Sequence, residues 1–316
     1  MDDKTVVLNA GKVDYDGRIC YADLASQVTI YEDTTQEQIL DRVAGHTIVV
    51  TKELPVPGEL LRQFPACVKL ICEAGTGYNN IDLDAAREKG IAVCNVPAYS
   101  THRVAHTALL LLLTLSSSLQ VQQAMLARGN RDNFTKCLQV NHVEVNGKTL
   151  GVVGEGNIGR EVIKLARAMD MNVLVYTRTL QEDREGVLHV PLEKLLRESD
   201  YISLHCPLTP QTQHILDQKA IAMMKPTAFL INTSRGGLVD EAALVAALEA
   251  GKIAGAGLDV QEVEPPAQDS PLYRLENVVL TPHMGWKGLE TRQRLLRILK
   301  ENIEGFLSGR PIHVVS

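Results

Sequence analysis

Leu150-Gly-Val-Val-Gly154-Glu-Gly156-Asn-Ile-Gly159-Arg160 is the stretch from which the fold is read. An apolar, β-branched run ends in G-x-G-x-x-G, and a helical pattern continues from it to about Met169. Such a strand, tight turn and helix form a dinucleotide-binding unit. Gly154 permits the turn, Gly156 lets the backbone approach a pyrophosphate, and Gly159 allows the helix to pack closely on the strand. The helix N-terminus adds N–H donors and the positive end of its dipole. Glycines in this pattern alone are weak evidence; the strand before them and the helix after carry the reading.

On both sides of this turn, short β-branched runs alternate with helical patterns along the whole chain. A first series comprises Val6–Leu8, Val28–Ile30, Thr47–Val50, Val68–Ile71 and Ala92–Val93. A second comprises Thr149–Val153, Val173–Tyr176, Tyr201–Leu204, Phe229–Asn232, Gly255–Val260 and Val278–Leu280. This alternation predicts α/β architecture with two doubly wound parallel sheets. A Leu-rich helical pattern from Tyr99 to Arg128 separates the series and is expected to lead from one domain into the other. The last helix, about Leu289–Leu307, follows the second series and is expected to return to the first domain, making that domain discontinuous. The expected boundaries are 1–99 plus 286–316 for one domain and 100–285 for the other.

Composition narrows the function. The 316 residues carry 32 Lys+Arg and 38 Asp+Glu, a net charge of −6, which argues against a nucleic-acid partner. The start, Met-Asp-Asp-Lys-Thr-Val-Val-Leu, lacks the features of a secretory signal, and the longest apolar stretch, Ala108–Leu115, is far below the roughly 20 residues a bilayer requires. A cytoplasmic protein with no membrane partner is expected. The six cysteines, Cys20, Cys67, Cys72, Cys94, Cys137 and Cys206, show no C-x-x-C pair and no zinc-ligand spacing. Reduced thiols and no metal are expected.

Beyond the glycine turn, the strand Asn172–Tyr176 runs into Thr177-Arg178-Thr179. An Asp or Glu at that tip would accept from the adenosine 2′-hydroxyl; here the tip holds none, and Arg178 can pair with a 2′-phosphate through a planar fork. NADP or NAD is therefore expected, with NADPH favoured and dual use open; Arg178 as a merely solvated loop residue is the plain alternative. Two further segments carry polar side chains after strands: Phe229-Leu-Ile-Asn-Thr-Ser-Arg235-Gly-Gly-Leu-Val-Asp240, and Gly257-Leu-Asp259-Val-Gln-Glu-Val-Glu264-Pro-Pro266 with Leu280-Thr-Pro-His283-Met-Gly-Trp286. With Gly75-Thr-Gly-Tyr-Asn-Asn-Ile-Asp82 and Asn95-Val-Pro-Ala-Tyr-Ser-Thr101, the chain resembles the D-2-hydroxyacid dehydrogenase family over essentially its whole length.

The resemblance implies a Rossmann cofactor domain inserted in a flavodoxin-like substrate domain. It implies hydride transfer between a nicotinamide and C2 of a small 2-keto/2-hydroxy acid, and it assigns catalytic roles to Arg235, Glu264 and His283. Arg235 would hold the substrate carboxylate and polarise the carbonyl. His283 would exchange the proton, since imidazole titrates near neutrality. Glu264 would bond the other ring nitrogen, fixing its tautomer and favouring imidazolium. Substrate contacts carried over are Lys52, Thr76, Gly77, Arg235 and Trp286, the backbone N–H groups of Thr76 and Gly77 meeting the carboxylate. Cofactor contacts are Gly154, Gly156, Asn157, Ile158, Gly159, Arg178, His205, Cys206, Pro207, Thr212, Thr233, Asp259, His283 and Gly285. Among them, Asp259 would receive the nicotinamide carboxamide.

Trp286 resembles the glycerate dehydrogenase/hydroxypyruvate reductase subgroup, so reduction of hydroxypyruvate or glyoxylate to D-glycerate or glycolate is expected. A D-3-phosphoglycerate or D-lactate type, or a non-catalytic dinucleotide-sensing corepressor-like module, are the alternatives. His106 departs from the Glu or Gln that family members commonly carry there. A homodimer is also expected, with the Leu-rich helix from about Arg103 as the candidate contact.

Overall fold

The computed structural model describes residues 3–179, 181–184 and 186–316. The chain divides into two units, residues 1–100 with 286–316, and residues 101–285.

In unit 1 the strands are β1 (Thr5–Val7), β2 (Val28–Ile30), β3 (Ile48–Thr51), β4 (Leu70–Glu73) and β5 (Ala92–Cys94). All neighbours are parallel, in the order β2-β1-β3-β4-β5. Helices α1 (Ile39–Val43), α2 (Gly58–Leu61) and α3 (Leu83–Glu88) lie in the connections. Strand side chains alternate between two cores: Val7, Ile48, Val50, Leu70 and Cys72 enter one, while Val6, Val49, Ile71 and Val93 enter the other, together with Leu8 just past β1. Both faces of a parallel sheet are thus covered, which is why these strands read as continuous apolar runs.

In unit 2, α4 (Thr101–Ser116), α5 (Leu119–Ala127) and α6 (Asp132–Thr135) precede β6 (Thr149–Val153), α7 (Asn157–Ala168), β7 (Asn172–Tyr176) and β8 (Val187–His189). There follow α8 (Leu192–Glu198), β9 (Tyr201–Leu204), α9 (Gln218–Ala222), β10 (Phe229–Asn232), α10 (Glu241–Glu249), β11 (Gly255–Leu258) and β12 (Val278–Leu280). The sheet order is β12-β11-β10-β9-β6-β7-β8, parallel throughout. Ala105, Ala108, Leu111 and Leu112 of α4 and Val162, Ile163 and Ala166 of α7 share a core with Leu150, Val152, Val173 and Val175. Helix α11 (Leu289–Leu307) packs Leu295, Leu299 and Ile303 into the unit 1 core with Val7, Val50 and Leu70.

Three differences from the sequence reading have physical causes. Strand β8 was not expected, because three residues are too few to show alternation, and its pairing with β7 creates it. The helical pattern of residues 99–128 is broken at Ser118, whose φ of 46° ends α4 and starts α5. Strand β4 lies two residues further along than the expected Val68–Ile71, so that Glu73 becomes its buried last residue. No single described helix is long and apolar enough to cross a membrane.

Candidate functional site

The glycine turn has the geometry a dinucleotide requires. Gly154 has φ of +101°, and a Cβ there would lie 2.7 Å from the Cys206 nitrogen, so only glycine fits. A Cβ on Gly159 would come 2.2 Å from the Gly154 oxygen, whereas nothing lies within 4 Å of one built on Gly156. That open side of Gly156, at the N-terminus of the twelve-residue α7, is where a pyrophosphate can reach backbone N–H groups. Asn157 and Ile158 are the first residues of α7.

Among the buried polar atoms of unit 2 with no hydrogen-bond partner in the described residues are Thr233 Oγ1 and His205 Nδ1. Both follow strand ends where a ligand binds in such sheets, and both can be satisfied by a polar cofactor. Burial pushes the His205 imidazole down to about 4, so this ring is neutral; its Nε2 lies 2.8 Å from Ser203 Oγ. Burial also pushes the Cys206 thiol up to about 11, which leaves it a poor nucleophile. Pro207 is exposed, and its carbonyl accepts from Thr212 Oγ1 at 2.7 Å.

Glu155, the residue between the first two glycines, has a carboxylate that is 1 % exposed and meets His189 Nε2 at 2.9 Å. Its other oxygen accepts from the exposed Arg184 guanidinium. Burial works to raise the Glu155 pKa, but the His189 bond and the Arg184 charge outweigh it and lower it overall. The Glu155 carboxylate thus ties the segment after β7 to the glycine turn through His189 and Arg184. Arg178, on that same segment, is exposed.

Arg235, Glu264 and His283 all belong to unit 2. Arg235 follows β10 and is held by its neighbours: Asn232 Nδ2 donates to its carbonyl at 2.9 Å, and its own Nη1 donates to the Ser234 carbonyl at 2.8 Å. A Cβ on the adjacent Gly236 would sit 1.9 Å from the Gln261 carbonyl, so the arginine segment presses directly on the segment carrying Glu264. Gln261 in turn donates its backbone N–H to Glu264 Oε1 at 3.0 Å. Glu264 Oε2 lies 2.8 Å from His283 Nδ1, which makes Nδ1 the donor and leaves Nε2 for a reactant.

His283 has a left-handed backbone, φ 48°, uncommon for a side chain of this size. Asp259 explains how it is held. This carboxylate, 1 % exposed, accepts from Thr281 Oγ1 at 2.6 Å, the Met284 N–H at 2.8 Å and the Gly285 N–H at 2.8 Å. The His283 N–H donates to the Asp259 carbonyl at 2.9 Å. Asp259 is therefore the anchor of the histidine loop. His106 is exposed on α4.

In unit 1, Asn9 Nδ2 donates to the Lys52 carbonyl at 2.6 Å, and the Lys52 N–H donates to Asn9 Oδ1 at 2.9 Å. The Lys52 ammonium lies 4.4 Å from the centroid of the Trp286 ring and pairs with Glu53. Thr76 Oγ1 donates to the Val96 carbonyl at 3.0 Å, and the Thr76 carbonyl accepts from Asn95 Nδ2 at 2.7 Å, which fixes the loop through Gly77. Lys52, Trp286 and the Gly75–Gly77 turn come together within this unit. Residues not singled out in the sequence are Asn9, Glu73, Glu155, Arg184 and His189. For Glu155 a signal existed, since it stands between Gly154 and Gly156 of the glycine turn, whereas Glu73 becomes a strand end only because β4 runs two residues past Ile71.

The model for the D-isomer specific 2-hydroxyacid dehydrogenase NAD binding domain matches residues 109–285. A hydroxypyruvate reductase of Blautia hydrogenotrophica is 36% identical over 316 residues, covering 98% of this chain and 97% of its own. A glyoxylate reductase of Korarchaeum cryptofilum is 41% identical over 258 residues, 81% of this chain and 77% of its own. The crystal structure of a glyoxylate reductase from Paecilomyes thermophila superposes with a TM-score of 0.86 at 30% identity, covering 100% of this chain and 99% of that one. The chain belongs to the D-isomer specific 2-hydroxyacid dehydrogenase family and is an NAD(P)-dependent oxidoreductase of 2-hydroxy acids.

Proposed function

We propose that the enzyme reduces hydroxypyruvate and glyoxylate to D-glycerate and glycolate, using NADPH at least as well as NADH. The observation that carries the chemistry is the 2.8 Å pair of His283 Nδ1 and Glu264, set in the same unit as the glycine turn and Arg235. The names of the relatives and the presence of Trp286 favour the substrates. When bound, the nicotinamide supplies the hydride for C2. Arg235 holds the carboxylate and draws electron density towards the carbonyl oxygen. His283 Nε2 gives that oxygen its proton, and Glu264 keeps the ring oriented and stabilises the imidazolium before transfer. Lys52, Thr76, Gly77 and Trp286 contact the substrate. Gly154, Gly156, Asn157, Ile158, Gly159, Arg178, His205, Cys206, Pro207, Thr212, Thr233, Asp259, His283 and Gly285 contact the dinucleotide.

On this reading residues 100–285 form the dinucleotide-binding domain and residues 1–99 with 286–316 the substrate domain. A homodimer is part of the same proposal: Leu110, Leu113, Leu119, Leu126 and Phe134 stand exposed on α4, α5 and α6. The test is a 2-keto acid panel run with both cofactors in wild type and Arg235→Ala. Turnover of hydroxypyruvate and glyoxylate is expected, and Arg235→Ala should lose on the order of 10²-fold or more in kcat/KM while dinucleotide Kd is unchanged. Absence of turnover with every keto acid would favour a dinucleotide-sensing binding module.

A further inference from the structure

The sheet of unit 1 has its topological switch between β1 and β3, because the chain winds from β1 outwards to β2 and then back to β3. Beyond the carboxyl ends of strands at such a point, open α/β sheets bind ligands. Asn9, two residues past β1, and Lys52, one past β3, are bonded to each other there at 2.6 and 2.9 Å. Next to them ends β4, with Glu73 at 0 % exposure. Glu73 Oε1 accepts the Glu53 N–H at 2.9 Å, and Oε2 accepts Asn80 Nδ2 at 2.9 Å. A Cβ on Gly75 would lie 3.2 Å from both Glu73 Oε1 and Lys52 Nζ, so carboxylate and ammonium converge on the start of the Gly75–Gly77 loop.

The charge count at this corner is unusual for a place that takes an anion. The groups acting on Lys52 are Tyr99, Glu53 and Glu73; those acting on Glu73 are Lys52 and Glu53. Lys52 pairs with Glu53 and lies beside Glu73, so one cation faces two carboxyls. We infer that Glu73 is a positioning residue that compensates the Lys52 ammonium, so that this corner accepts a 2-keto acid with an uncharged tail and disfavours one whose tail carries a carboxylate or phosphate. This inference rests on the proposed 2-keto acid reductase activity and names its substrate class. A lone buried ammonium would attract a second negative charge, but one already matched by carboxylates leaves that charge desolvated without a partner.

The two groups titrate differently. Burial works against the Lys52 charge, and the surrounding negative groups outweigh it, so the ammonium persists. Burial pushes the Glu73 carboxyl up to about 7 against the pull of Lys52. Above that pH both Glu73 and Glu53 oppose Lys52; below it Glu73 is neutral and the corner is more receptive to negative charge.

The test compares hydroxypyruvate with oxaloacetate, whose tail carboxylate stays ionised from about pH 6 to 8. In wild type the kcat/KM ratio in favour of hydroxypyruvate should widen about tenfold between those pH values, mostly through the KM of oxaloacetate. In Glu73→Gln the ratio should stay flat, near the low-pH value of wild type, with dinucleotide Kd unchanged. A ratio constant with pH in wild type, or a folded Glu73→Gln that keeps the wild-type slope, overturns the inference. If Glu73→Gln does not fold, the wild-type series decides alone. Failure to reduce any 2-keto acid would instead sink the proposed function.

Discussion

Arg178 stands exposed beyond β7 where no carboxylate occupies residues 177–179. An acid there would repel a 2′-phosphate; the guanidinium can bind one bidentately. Solvent screening limits the gain to about 1 kcal/mol, a several-fold effect. Arg178→Ala should accordingly lower kcat/KM with NADPH several-fold and raise the Kd of NADP⁺, leaving NADH nearly untouched. An equal fall with both cofactors, or a strong wild-type preference for NADH, would make Arg178 a bystander. The buried Glu155 carboxylate does not decide the matter by its charge, because His189 and Arg184 already share it.

Helix α11 shows how a distant segment is tied to its sheet. Its side chain Arg292, 2 % exposed, donates to the Val13 carbonyl at 2.8 Å and forms a two-pronged pair with Asp16 at 2.8 and 2.6 Å. The guanidinium also lies 4.3 Å from the Tyr15 ring centroid. The hydrogen bonds to Asp16 hold the Arg292 charge and lower the Asp16 pKa. Arg292→Met nearly keeps the volume but strands the Val13 carbonyl and the Lys287 carbonyl, which accepts from Arg292 Nε at 3.1 Å, and frees a carboxylate. Since Asp16 is partly solvated, a loss of about 2–3 kcal/mol is expected in urea unfolding. A change below about 0.5 kcal/mol would show that apolar packing of Leu295, Leu299 and Ile303 alone holds the helix.

The stability of the whole protein should carry the signature of Glu73. Its carboxyl moves from an ordinary 4.5 to about 7 on folding because burial disfavours the charge. The folded state therefore holds the proton more tightly than the unfolded one. The stability this contributes is full below about 4.5 and is lost as pH rises through about 7. The shift corresponds to about 3 kcal/mol over that window. Unfolding free energies of wild type and Glu73→Gln, measured from pH 5 to 8, should diverge in favour of the variant as pH rises. Parallel curves would mean that Glu73 stays charged at its site throughout.

Local pattern settled the two parallel sheets and the glycine turn, since strand periodicity and a G-x-G-x-x-G turn are short-range signals, whereas Arg235, Glu264 and His283 stood out only through the family resemblance of the segments that carry them. The final helix, too, was readable from its own residues. What lay beyond reach were features that exist only between distant segments. Strand β8 forms because β7 offers it a partner. Glu155 meets His189 across 34 residues, Asp259 reaches Gly285 across 26, and Asn9 bonds Lys52 across 43. Glu73 gains its character from burial beside Lys52, which depends on β4 ending two residues later than its apolar run suggests. A residue's type and neighbours in the chain determine its secondary structure, but its solvation, its charge partners and hence its chemistry come from whatever the fold brings against it.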